Sequence, residues 1–136
     1  MKAGCFADSS AWIALTNVKD THHAQAAAAW KRLRAENTRI VTSNYVMLEA
    51  TFVLTSRGGV RLAAALRDAM RASDRVVIEW VTPERHESAW IEFAKYEDQG
   101  ISFVDASSFG LMRELTIRSA WSYDADFSRA GFELLA

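Results

Sequence analysis

Five acidic residues stand where an α/β chain could put them to chemical use: Asp8, Glu49, Asp105, Asp124 and Asp126. Asp8 follows a short apolar run, Ala3 to Ala7, that reads as a buried strand. Asp124 and Asp126 follow a second short strand, Ser119 to Ser122. Glu49 lies in a helix, Tyr45 to Leu54, that is apolar nearly all round and should be largely buried. A buried glutamate is rare unless it is paired or bound to a metal. Asp105 stands third in a helix that Ser102 can cap. Carboxylates meeting in one crevice cannot all stay ionised without a counter-charge. Either their pKa values rise or a cation binds, and hard oxygen ligands select Mg²⁺ or Mn²⁺ over zinc. A metal held in this way lowers the pKa of a water and takes a phosphate oxygen, and both serve phosphodiester cleavage.

Each acid also has a plain structural explanation. Asp8 in Asp-Ser-Ser-Ala suits a helix N-cap. Asp124 and Asp126 suit an ordinary polar turn. Glu49 could be half-exposed beside an arginine. Asp105 could close a capping box with Ser102, although aspartate reaches back less well than glutamate. The sequence leaves these alternatives open.

The elements that must position the acids alternate along the chain. After the first strand comes a short helix, Ser9 to Leu15, and an alanine-rich helix that starts at Thr21 or His22 and ends at Ala35. A strand over Arg39 to Thr42 leads to a helix capped by Ser43, which runs to about Ser56 and stops at Gly58-Gly59. A further helix spans Val60 to Ala72, and Arg75 to Val81 is the clearest strand. Pro83 opens a helix to about Tyr96, and Ser102 opens another to about Thr116. The strand at Ser119, a polar turn over Tyr123 to Arg129 and an edge strand over Gly131 to Leu135 close the chain. This alternation predicts a three-layer α/β/α sandwich around a mainly parallel sheet of four to five strands. In such sheets ligands bind beyond the carboxyl ends of the strands, where Asp8, Asp124 and Asp126 stand.

Composition sets the outer bounds. The 136 residues carry no linker or repeat and read as one domain, 1–136. Net charge is −1, so it does not select a partner. Four lysines against twelve arginines leaves phosphate recognition open. A single cysteine, Cys5, in an apolar run rules out an intramolecular disulfide and reads as core filler. No segment is apolar over a membrane-spanning length, and no signal-peptide core is present, so a cytoplasmic protein is expected.

Taken together, the motifs resemble the PIN domain, in particular the short VapC-type toxin ribonucleases of toxin–antitoxin pairs. The resemblance rests on Phe6 to Leu15, on Thr42-Ser43 with Leu48-Glu49-Ala50, on Phe103 to Phe109, and on Ser122 to Phe127 before Ala130-Gly131-Phe132. It covers essentially the whole chain. It implies that Asp8, Glu49, Asp105 and Asp124 bind the metal, Mg²⁺ or Mn²⁺, with Asp126 as a further or rival fourth acid. It implies hydrolysis of RNA by metal-held water with no covalent intermediate. Ser9 would orient a carboxylate, and Ser122 fills the slot before the fourth acid. A cognate antitoxin that occludes the site and a homodimer are also implied. A non-catalytic PIN-like module binding RNA or protein is the alternative. A haloacid-dehalogenase-like phosphatase would want an aspartate where Ser10 stands.

Other features read as structural. Arg57, Arg61, Arg67, Arg71 and Arg75 form a cluster suited to a solvated face or to RNA phosphates. His22 and His23 suit a helix start. Of the five tryptophans most should be core, with Trp12 and Trp30 nearest an interface.

Overall fold

The computed structural model describes residues 4–135. Helices and strands alternate as the sequence predicts. The order is β1 (Cys5–Ala7), α1 (Ser9–Thr16), α2 (His23–Ala35), β2 (Ile40–Ser43), α3 (Asn44–Arg71) and β3 (Val76–Glu79). It continues with α4 (Pro83–Lys95), a 3₁₀ turn (Glu97–Gln99), α5 (Phe103–Glu114), β4 (Ser119–Trp121), α6 (Asp126–Arg129) and β5 (Glu133–Leu134). The first strand was read from Ala3, which lies outside the described residues. The five strands pair in the order β3-β2-β1-β4-β5, and every pair is parallel.

Parallel pairing needs a crossover between neighbouring strands, and the helices supply it. Both faces of such a sheet are covered, so its central strands are buried and mostly apolar. β1 and β2 are accordingly buried at every position. All strands point the same way, so their carboxyl ends share one edge. Asp8, Ser122 and the start of α3 emerge there together.

The core gathers Phe6, Trp12, Phe109, Trp121 and Phe127, all fully buried. Trp12 packs edge-on against Trp30 and Trp121, with ring centres 5.9 and 5.5 Å away. Its indole N–H donates to Thr42 Oγ1 at 3.1 Å, and that hydroxyl donates to the Ala7 carbonyl at 2.9 Å. The buried polar atoms of this layer are therefore paired, which fixes α1 against β1 and β2.

The structure corrects or refines four points of the sequence reading. Trp12 is core, not interface, and Trp30 is half-buried against it; the exposed tryptophans are Trp80 and Trp90, at 65% and 51%. β3 is an edge strand, and Ile78 and Trp80, two residues apart, both face out. The helix carrying Glu49 is not buried all round. Val46, Ala50 and Leu54 face the core at four-residue spacing, while Leu48 and Phe52 are 73% and 74% exposed. Finally, the turn over Tyr123 to Arg129 contains the short helix α6.

The Gly58-Gly59 break is present inside α3, where Gly59 adopts φ 74°, ψ −172°. That conformation is open essentially to glycine alone. A Cβ at Gly59 would meet nothing within 4 Å, so a substitution there meets backbone strain and no clash. Gly59→Ala should lower unfolding free energy by roughly 1–3 kcal/mol, measured by urea denaturation. An unchanged midpoint would show that α3 can straighten without loss.

Candidate active site

The site begins with strand register. Ala7 of β1 pairs with Trp121 of β4, so the next residues, Asp8 and Ser122, leave the sheet side by side. The Asp8 N–H donates to the Trp121 carbonyl at 3.3 Å and extends the ladder by one step. Asp8 is buried, at 3% exposure. Its Oδ1 accepts from the Ala11 N–H at 3.0 Å and from Ser10 Oγ at 2.7 Å. Its Oδ2 accepts from Ser122 Oγ at 2.6 Å. Asp8 is thus the N-cap of α1 and a wall of the cleft at once. Burial pushes its pKa up to about 6, the two serine bonds and the Ala11 bond pull against that, and the charge of Asp124 adds to the rise.

The same serines set the neighbouring chain. Ser122 Oγ accepts from the Asp124 N–H at 3.0 Å, and Ser10 Oγ accepts from the Tyr123 N–H at 2.8 Å. Each hydroxyl spends its single proton on Asp8 and its lone pair on the turn. Ser9, the residue expected to orient a carboxylate, does not do so. Ser9 lines the cleft, but its Oγ is buried without a hydrogen bond among the described residues.

Asp105 arrives from the first turn of α5. Its N–H donates to the capping Ser102 Oγ at 3.0 Å. Its carboxylate makes no return bond to Ser102 among the described residues, so the capping box stays open. The carboxyl lines the acid cleft instead. Burial pushes its pKa up to about 8, and the charges of Asp8, Asp124, Glu49 and Asp126 all push the same way. Asp105 thus senses every other acid of the set.

One carboxylate oxygen from each of Asp105, Asp124 and Asp126 lies within 4.8 Å of the others. Asp124 Oδ1 accepts from the Asp126 N–H at 2.9 Å, and Asp126 Oδ1 accepts from Arg129 Nη1 at 2.7 Å. Asp8 and Glu49 stand outside this triad but line the same cleft, about 370 Å³ in volume. Glu49 has no arginine partner among the described residues. Among the described residues, no lysine, arginine, histidine or cysteine lines the cleft. Five carboxylates with an unpaired buried hydroxyl fit a hard divalent cation, which would take oxygen donors only and relieve the repulsion. An apolar groove of about 350 Å³ beside Trp90 and Phe93 adjoins the cleft at Gly100, but its only ionisable groups are Tyr96 and Glu97. Cys5 takes no part: it is buried in β1, and burial pushes its thiol up to about 12.

Residues 5–133 match the PIN domain. The chain belongs to the PIN domain family. A PIN relative, the 23S rRNA-specific endonuclease VapC20 of Mycobacterium tuberculosis, is 42% identical over 128 residues, which are 93% of this chain and 94% of the relative. The crystal structure of M. tuberculosis VapC20, a sarcin–ricin loop cleaving toxin, aligns with a TM-score of 0.82 at 40% identity, covering 95% of this chain and 96% of that one. PAE2754 from Pyrobaculum aerophilum aligns at 0.65 and 17% identity over 99% and 91% of the two chains, and shares the fold. The PIN resemblance read from the four motifs is thereby borne out. No helix among the described residues is long and apolar enough to cross a membrane.

The raised carboxylates fix a pH dependence. The folded chain holds protons on Asp8 and Asp105 that the unfolded chain has lost, between about pH 4 and pH 8. Stability therefore falls as pH rises through that window. In EDTA, the melting temperature should drop from pH 5 to pH 8.5, and Asp105→Asn should flatten the drop. Mn²⁺ should raise the melting temperature most at the alkaline end, because it binds the ionised groups. A melting temperature that rises with pH in EDTA would contradict this account.

Proposed function

We propose that this PIN domain is a divalent-metal-dependent endoribonuclease, the toxin of a toxin–antitoxin pair, acting on a structured ribosomal RNA. The observation that carries the reading is the gathering of five carboxylates in one cleft with no basic side chain lining it among the described residues. Such a site is costly for the fold and is relieved by a hard cation. The choice of RNA is supported by the likeness, across nearly the whole chain, to an endonuclease specific for 23S rRNA.

Asp105, Asp124 and Asp126 would hold the ion, with Asp8 and Glu49 completing the acid wall. A bound Mg²⁺ or Mn²⁺ supplies a Lewis acid for a phosphate oxygen and a water of lowered pKa. The remaining work belongs to the protein. Ser10 and Ser122 hold the Asp8 carboxylate in one orientation, so its ligand geometry is set before substrate arrives. Ser122 does the same for the backbone that carries Asp124. Asp105 must lose its proton before it can ligate, so loading of the cleft improves as pH rises toward 8. A cognate antitoxin that covers the cleft, a homodimer and a cytoplasmic site of action belong to the same reading. Leu48 and Phe52, exposed one and three residues from Glu49, offer apolar surface to such a partner.

Purified protein should cut ribosomal RNA at one or a few positions with Mn²⁺ or Mg²⁺, and EDTA should stop it. Asp8→Asn and Asp105→Asn should abolish cleavage. Ser122→Ala should slow it by roughly 10–100-fold, the usual cost of losing a group that orients a metal ligand. Cleavage by Asp8→Asn at the wild-type rate would refute the site. Tight RNA binding without cleavage in either metal would favour the non-catalytic module.

A further inference from the structure

RNA is a polyanion, and the cleft that would cut it is itself acidic. Beyond the one phosphate that a metal in the cleft would take, the rest of the strand must therefore be held by cations placed outside it. The seam between α1 and α3 leads to such a place. On α1, Ser9, Ile13, Thr16 and Asn17 recur at three- and four-residue spacing and share one face. Ser9 and Ile13 line the acid cleft, and Thr16 and Asn17 line a second groove at the other end of the helix. On α3, Glu49, Val53 and Arg57 follow the same spacing. Glu49 lines the cleft and Arg57 lines the second groove. Eight residues of helix separate the two ends on each side, a distance of about 12 Å. The agreement between the helices puts both grooves on one continuous surface.

The far groove is basic. Lys19, Arg57 and Arg61 line its rim, and Val18, Leu62 and Ala65 contribute apolar wall. Lys19 and Arg61 are exposed and have no acidic partner among the described residues. Arg57 is 54% exposed and stands 4.0 Å from Asp20, its one acidic partner among the described residues. Asp20 is itself engaged, since its Oδ1 accepts from the His22 N–H at 2.8 Å. Three arginines elsewhere are committed to acids: Arg85 to Glu79 and Glu114, Arg113 to Glu92, Arg129 to Asp126. The groove thus keeps a surplus of positive charge available to an anion.

We infer that Lys19, Arg57 and Arg61 form a distal subsite for the RNA sugar–phosphate backbone, gripping phosphates a few nucleotides from the bond that is cut. This rests on the ribonuclease reading for its biological sense, and it concerns substrate positioning, not chemistry. Phosphate contacts of this kind fix register and carry little sequence information. They would let the enzyme demand a long or folded RNA while the acid cleft handles a single linkage.

The test is binding of a fluorescein-labelled ribosomal RNA hairpin in EDTA, followed by anisotropy across a salt titration. Arg57→Ala with Arg61→Ala should lower the slope of log affinity against log salt by roughly 1.5 and weaken binding on the order of tenfold near 0.1 M salt. Arg57→Lys with Arg61→Lys should restore most of the slope. Arg67→Ala with Arg71→Ala, outside the groove, should leave it unchanged. A tetranucleotide, too short to span the seam, should bind all variants alike. An unchanged slope in the first variant would overturn the proposal, as would an equal loss in the Arg67/Arg71 control. Weakened capture by a protein partner with the RNA slope intact would assign the groove to that partner and overturn it too. Cleavage by the wild type in Mn²⁺ is read separately, so failure of the subsite and failure of the ribonuclease reading are distinguishable.

Discussion

The register between β1 and β4 is the constraint on which the site depends. Ala7 opposite Trp121 is what makes Asp8 and Ser122 neighbours. In a strand the side chains alternate faces, so a slip of one residue would turn Phe6 and Ala120 out of their layers and aim Asp8 elsewhere. Both flanking strands hold this register. β2 pairs with the other edge of β1, and Trp12 reaches from α1 to Thr42, which reaches in turn to Ala7. The aromatic core and the acid cleft are therefore two consequences of one alignment.

That alignment places like charges together, and the fold must absorb the result. Asp8 and Asp105 both hold their protons far above the ordinary aspartate range. The compensation is local at Asp8, where two serine hydroxyls and a helix N–H converge on one carboxylate. Asp105 has no such support and takes the full effect of its neighbours. Local conflict of this kind, set in an otherwise consistent fold, is a mark of function. The ion pairs of α4 and α5 lie away from the cleft, and Arg129, which bonds Asp126 without lining the cleft, is the one arginine paired with these acids among the described residues.

The sequence made the fold legible because each strand is short, apolar and followed by a helix start with a recognisable cap. Asp8 and Asp124 stood out because parallel strands end on one edge, a rule that needs no side-chain detail. Glu49 reaches the cleft, though not for the reason its apolar neighbours suggest. Leu48 and Phe52 face solvent, and periodicity cannot tell a buried apolar face from an exposed one. Ser9 and Ser10 were indistinguishable by type, and successive helical residues point about 100° apart. Which of them meets Asp8 depends on where the helix begins. The open capping box at Asp105 depends on a side-chain torsion, which no spacing records. The exposure of Trp80 follows from β3 being an edge, a fact of strand order that lies outside any local window.

The bond between Ser122 and Asp8 joins residues 114 positions apart. Contacts of such long range form late, because the intervening chain must first be brought together. Asp8 precedes β4 in the chain by more than a hundred residues and must wait for it before it has the Trp121 carbonyl beside it or Ser122 to orient it. Asp124 and Asp126 come later still. The acid cleft therefore cannot assemble until β4 and the turn after it have joined the sheet.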